Sequence, residues 1–366
     1  MNKNNNISLK QLEALIITTI IGVGILSLSS DVANMLGNDG WIIIVISGFL
    51  AMIMMYIMIK LCKLYPGRVY YDFGKDIIAP KLFHVIDIIY LFHFLALSAF
   101  TLRIFAEIIK IFLLGRTPIE IIILSMLFAT TYIARSNIEI IGRMAVFILP
   151  IVLVTTGIFV LVTIPVIDFT NILPIFRISL ADLKRILNGT GIIFFSYIGF
   201  EILFIAMAYV EGEKGATKHS IKGIIYVIVI YLVTFFITLS GFGVFELKRE
   251  IWPSLSIMRE VELPGFFVEN IDGLILAAWI LVVFATLGPT LYSGSVVLSK
   301  ILNTKKHSLF VLPMTPIILI LSLIPQNMSE IYSMMFILLK YLGTFVMIIC
   351  PVSMYIIALI KKGGKK

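Results

Sequence analysis

Two short glycine-bearing stretches interrupt apolar runs at matching places: Gly22-Val23-Gly24, and Ser196-Tyr197-Ile198-Gly199. Each lies about 11 residues after its run begins. Unwinding a helix in hydrocarbon frees backbone N–H and C=O groups, and each costs several kcal/mol if nothing satisfies it. A ligand carboxylate can accept the freed amides, best at the N-terminus of the following half-helix, where the helix dipole is positive. Gly22 and Gly24 allow close backbone approach. The candidate ligand-binding residues are therefore Gly22, Val23, Gly24 and Ile25 from one break, and Phe195, Ser196, Tyr197 and Gly199 from the other. Phe195 and Tyr197 are candidate gates. The competing reading of these glycines is tight helix packing, and the existence of a second break favours the ligand.

Ionisable residues inside apolar runs are functional candidates because they are costly there. Glu201 directly follows the second break. It reads as a proton or cation site, or as a fixed cap on the second half-helix. Arg103 and Glu107 are spaced i,i+4 and can pair on one helix face, with Arg103 expected to snorkel outward. Lys340 reads either as a snorkelling lysine or as a gate. His84 and Asp87 are expected at the interface, and His93 in a hydrogen-bonded core. Thr286 and Thr290, around Gly288-Pro289, are candidate coupling residues beside Ser293 and Ser295; their hydroxyls could ligate sodium or bond their own helix. Thr155 and Thr156 in the fifth run offer the same choice, and that run has no interior Lys.

Other chemistry is excluded by pattern. Gly212 to Lys218 has Thr217 where a phosphate loop needs Gly, and the G-x-G lacks a dinucleotide fingerprint's third Gly. No catalytic constellation and no metal-ligand spacing is present, so the expectation is no enzyme, no cofactor and no metal. Cys62 and Cys350 are too few for a disulfide framework or a zinc-finger pattern.

The elements that must position these residues are membrane helices. The chain is 60% hydrophobic and 14% charged, with a mean hydropathy of +1.07, against roughly 25% charged for soluble domains. Its apolar runs are about 17–30 residues long, right for spanning helices and too long for barrel strands. The fold class is thus an all-α polytopic membrane protein of about ten transmembrane helices, at 11–33, 41–63, 82–113, 118–134, 143–164, 185–210, 221–245, 272–302, 308–325 and 332–360. Turn signals separate them, among them Pro66-Gly67, Pro174 and Pro264-Gly265. The stretch 246–270 is expected to hold a short interfacial helix with Trp252 at headgroup level. The polar start and the lack of an A-x-A-like site predict no cleavable signal peptide. Lys and Arg favour the loops on the N-terminal side by roughly two to one, which predicts both termini cytoplasmic. The formal charge of +8 sits in these short loops, so nucleic acid is not the expected partner.

Each broken run opens a set of five. An odd number makes the second set enter from the opposite side, the arithmetic of an inverted repeat. The single transmembrane domain, 1–366, would then divide into a first repeat at 11–164 and a second at 185–360.

Gly22-Val23-Gly24-Ile25-Leu26 and Phe195-Ser196-Tyr197-Ile198-Gly199-Phe200-Glu201 resemble the paired motifs of the amino acid–polyamine–organocation (APC) transporter superfamily. Ser8-to-Gln11, the Pro66-Gly67 loop, Asn171-Ile172-Leu173-Pro174-Ile175 and the compact size resemble its spore germination permease branch, the B subunits of Ger-type germinant receptors. The resemblance covers essentially the whole chain. It implies a LeuT/APC-like 5+5 inverted repeat with broken helices 1 and 6. It also implies a multi-pass protein of the spore inner membrane that binds a small amino acid or similar germinant at the midplane, between those helices, and works with A and C subunits. The alternative expectation is an autonomous proton- or sodium-coupled amino acid permease.

Overall fold

The chain enters its first helix through a capping box. Gln11 N–H donates to Ser8 Oγ (3.2 Å), and Ser8 N–H donates to Gln11 Oε1 (2.7 Å), which satisfies two of the amides a helix start leaves open. The computed structural model describes residues 6–260 and 271–363. It is all-helical. Among the described residues the only β pairing is an isolated parallel bridge between Ile7 and Val210.

The first predicted span is two half-helices, α1 (Leu9–Ile20) and α2 (Gly24–Leu36), separated at residues 21–23. Next come α3 (Trp41–Lys63), the short α4 (Tyr70–Ile77), α5 (Pro80–Phe112), α6 (Ile119–Ala134) and α7 (Ile138–Thr163). The sixth predicted span is again broken. Helix α8 (Leu183–Ile193) runs into a 3-10 turn over Phe194–Tyr197, and a second 3-10 turn, Phe200–Ile202, leads into α9 (Leu203–Ala206). The two parts are bent by 57°. The rest is α10 (Glu213–Leu247), α11 (Pro253–Glu260), α12 (Ile271–Ile301), α13 (Ser308–Leu323), α14 (Met328–Leu338) and α15 (Cys350–Gly363), with two π-helical segments between the last two.

Among the described residues, six helices are long and apolar enough to cross a membrane, or seven with the bent pair as one span. Helices α6 and α13 are apolar but shorter. The chain is a multi-pass membrane protein. Helix α11 lies in the stretch expected to hold an interfacial helix; the Pro264-Gly265 turn lies outside the described residues. Trp252 is buried, and its indole N–H donates to Tyr332 (2.9 Å).

Helix α1 packs between α10, α7 and α12, and α12 packs along α5. Two ties fasten the start of α1. Ile7 N–H donates to the Tyr209 carbonyl and Glu211 N–H to the Ile7 carbonyl, both at 2.9 Å. The Glu13 carboxylate holds His219 Nδ1 (2.7 Å) and Lys222 Nζ (3.0 Å) from α10. The Asn171–Ile175 stretch is a clasp at the other end of the bundle. Asn171 Nδ2 donates to the Ser240 carbonyl (2.9 Å), and Asn38 Nδ2 donates to the carbonyls of Asn171 and Ile172. Asp39 accepts the amides of Phe176 (2.7 Å) and Arg177 (3.0 Å).

One expectation about charge is corrected, and two further residues are placed. Arg103 does not snorkel outward. It is buried, paired with Glu107 (2.9 Å), and its Nη1 donates to the Ser322 carbonyl on α13 (3.1 Å). Asp87 is buried within the protein, where α5 is overlain by α4 and its aromatic residues. Lys340 is exposed on the outer face of its helix beside the Tyr341 ring (5.5 Å).

Candidate functional site

The two breaks share one cavity of about 250 Å³. From the first break come Thr19, Ile20, Gly22, Val23 and Gly24, continued along α2 by Ser27 and Asp31. The second break gives Ile192, Ile193, Phe195, Ser196, Ile198 and Gly199. Helix α5 adds Leu97 and Thr101, α12 adds Thr286 and Thr290, and the last span adds Tyr332, Met335, Phe336 and Leu339. The residues from each of these three helices recur at intervals of three or four, the spacing of one helical face.

Freed carbonyls at both breaks already have donors. At the first, Thr286 Oγ1 donates to the Thr18 carbonyl (3.1 Å) and Trp279 Nε1 to the Gly22 carbonyl (3.4 Å); at the second, Tyr231 OH donates to the Ser196 carbonyl (2.7 Å). Gly22 N–H closes a tight turn onto the Ile20 carbonyl (2.8 Å). The amides of Gly24 and Ile25 open α2 and belong to the four that an α-helix start leaves without an intrahelical acceptor. They sit at its positive dipole end. Thr19 Oγ1 is buried and has no hydrogen-bond partner among the described residues.

The second break is completed by the protein itself. Gly199 has φ of +122°, a conformation only glycine adopts readily, and a Cβ there would lie 2.9 Å from the Thr19 carbonyl. Its N–H donates to Glu201 Oε2 (2.5 Å), while Glu201 Oε1 meets His93 Nε2 (2.8 Å). Both side chains are wholly buried. Glu201 thus does at the second break what an incoming carboxylate would do at the first.

The sequence candidates divide accordingly. Gly22, Val23, Gly24, Phe195, Ser196, Gly199, Thr286 and Thr290 line the cavity. Ile25 faces a neighbouring apolar recess with Trp279 and Val152. Tyr197 is buried away from the cavity, its hydroxyl donating to the Ile44 carbonyl on α3 (2.9 Å). Glu201 lies behind the cavity wall, and Lys340 follows the lining residue Leu339 without lining the cavity itself. Sequence reasoning missed Thr19, Ser27, Asp31, Thr101 and Tyr332. A heptad reading of Gly24, Ser27 and Asp31 was the signal available for the α2 wall.

A family model described as "Spore germination protein" matches residues 6–331. The chain belongs to this family. It is 29% identical to Spore germination protein YndE of Bacillus subtilis (strain 168), over 99% of both chains. It is 25% identical to Spore germination protein A2 of the same organism, over 75% of this chain and 74% of that one. Among solved structures, MhsT in complex with L-phenylalanine superposes with a TM-score of 0.69 at 12% identity, covering 95% of this chain and 97% of that one. The nucleobase-cation-symport-1 family transporter Mhp1, with bromovinylhydantoin bound, gives 0.69 at 14%, covering 94% and 80%. This member of the spore germination family therefore has the fold of the APC/LeuT-type transporters.

Proposed function

We propose that the protein is the membrane-embedded subunit of a germinant receptor and binds a small amino acid or similar germinant between its two broken helices. One observation carries this reading: both breaks open into one cavity, where the carbonyls have side-chain donors and the first amides of α2 have no intrahelical acceptor. The germinant's carboxylate docks on the amides at Gly24 and Ile25. Thr19 Oγ1, buried without a partner, supplies a further hydrogen bond. Phe195 closes one side. On this reading the chain consists of two five-helix repeats, 11–164 and 185–360, with both termini cytoplasmic. It acts in the spore inner membrane with A and C subunits.

The test uses the purified chain in lipid nanodiscs and a panel of labelled amino acids. Wild type binds at least one of them. Gly22→Val loses that binding without loss of expression, because a Cβ at Gly22 would lie 2.8 Å from Thr286 Oγ1. Normal binding by Gly22→Val and by Gly24→Val sinks the assignment. A second reading, a proton-coupled permease, is favoured by the buried His93–Glu201 pair alone. Uptake by the chain in liposomes, driven by a pH gradient, would select it.

A further inference from the structure

The cavity has two chemically different ends. At the break are the open amides of α2, which favour an anion. Along the same helix, Gly24, Ser27 and Asp31 are three and seven residues apart, so they share a face, and all three line the cavity. Among the described residues, Asp31 is the one that lines the cavity with a charged side chain. Asp31 forms no ion pair among the described residues. Its contact is the Ser27 hydroxyl, which supplies a hydrogen bond and no positive charge. An aspartate held beside a cavity with no cation to balance it is a costly arrangement.

We infer that the ligand brings that cation: the site takes a basic amino acid, its carboxylate on the amides at Gly24 and its side-chain ammonium or guanidinium on Asp31. This rests on the binding site proposed above. The spacing supports it. Seven residues of helix advance about 10 Å at about 1.5 Å per residue, and the aspartate side chain leans back toward the helix start. The carboxylate and ammonium of alanine are separated by a single carbon and cannot reach both ends. A lysine or arginine side chain can. The lining from the other helices includes the apolar Leu97, Met335, Phe336 and Leu339 beside Thr101 and Tyr332, and that apolar share suits a methylene chain. Met335 adapts readily to irregular shapes.

The test compares L-lysine with L-norleucine, which has the same four-carbon side chain without the amine, and with L-alanine. Each is titrated against the full-length chain in nanodiscs. Lysine should bind roughly 10-fold or more tightly than norleucine, the range of a hydrogen bond to a charged group. In Asp31→Asn, lysine should lose its advantage and bind no more tightly than norleucine does to the same variant. Norleucine binding as tightly as lysine to wild type, with binding still lost in Gly22→Val, overturns this inference and leaves the site standing. A lysine preference that survives Asp31→Asn overturns the role of Asp31. No binding by any of the three, nor by the wider panel, overturns the site and the inference together. The wild-type comparison needs no variant, so a poorly folding Asp31→Asn does not block the decision.

Discussion

Replacing Glu201 by Gln separates a carboxylate that matters from a mere acceptor. In the wild type one oxygen takes Gly199 N–H at 2.5 Å and the other meets His93 Nε2 at 2.8 Å. His93 Nδ1 is buried without a partner among the described residues. An imidazole that donates Nε2–H to the carboxylate leaves only a lone pair orphaned at Nδ1. Glutamine can still accept from Gly199, but its amide nitrogen then faces Nε2 as a donor. The ring must carry its proton on Nδ1 instead, which places an N–H in the core with no acceptor. A buried unsatisfied donor costs about 1–3 kcal/mol, and a bond to a charged group is worth about 1.5–3 kcal/mol. Glu201→Gln is therefore expected to destabilise by about 2–4 kcal/mol. His93→Phe with Glu201→Gln should restore part of the loss, since no imidazole is left to orphan. The assay is tryptophan-fluorescence melting of the chain in nanodiscs. A single variant that melts like wild type refutes the argument and makes Glu201 a plain cap.

Gly199→Ala should destabilise by about 1–3 kcal/mol for the positive φ alone. The contact with the Thr19 carbonyl adds to that, so the variant should also lose ligand binding in the nanodisc titration; unchanged melting would contradict the geometry. Asp39→Ala leaves the Phe176 and Arg177 amides without their acceptor and should cost about 1–3 kcal/mol, with proteolysis of the 168–182 connection accelerating. Burial lowers the pKa of His307, in the loop before α13, below its ordinary 6.5. The folded state therefore binds fewer protons than the unfolded one, and this contribution to stability is intact above 6.5 and lost as pH falls below it. The drop in melting temperature on acidification from about pH 7 to about pH 5 should be smaller in His307→Gln than in wild type.

The breaks were legible because glycine is the residue that makes them. Gly22-Val23-Gly24 and Gly199 stand out against runs of Ile, Leu and Phe, and the freed backbone has a computable cost. Helix facing was not legible. Glu201 and His93 are 108 residues apart, and no local pattern says that α5 turns His93 toward the second break. Tyr197 sits in the right motif, yet the 3-10 turn over Phe194–Tyr197 points it at α3, since a 3-10 turn rotates side chains by a different angle than an α-helix. Asp31 falls inside the first predicted span, 11–33, with no local pattern to mark it. Its register on Gly24 holds because α2 restarts its helical phase at the break, so residues of α1 are no guide to which face Asp31 occupies. The Ser8–Gln11 and Asn171–Ile175 motifs read as family signatures; in the fold they are a helix cap and a clasp.

The fastening of α1 has an energetic consequence of its own. Two backbone hydrogen bonds and the Glu13 cluster hold the start of the half-helix. At roughly 0.5–1.5 kcal/mol per hydrogen bond, with the exposed ends of the ion pairs adding little, releasing it costs a few kcal/mol. The released form is then a minor species of about 0.1–10% at rest. Moving such an equilibrium from 1:99 to 99:1 needs about 10⁴-fold tighter binding to the released form. A ligand that touches both the first break and the far end of α2 can draw on contacts at both ends to supply that ratio, whereas one that touches only the break has half the means. On the proposed reading, a weaker tie lowers the ratio a ligand must supply to release α1.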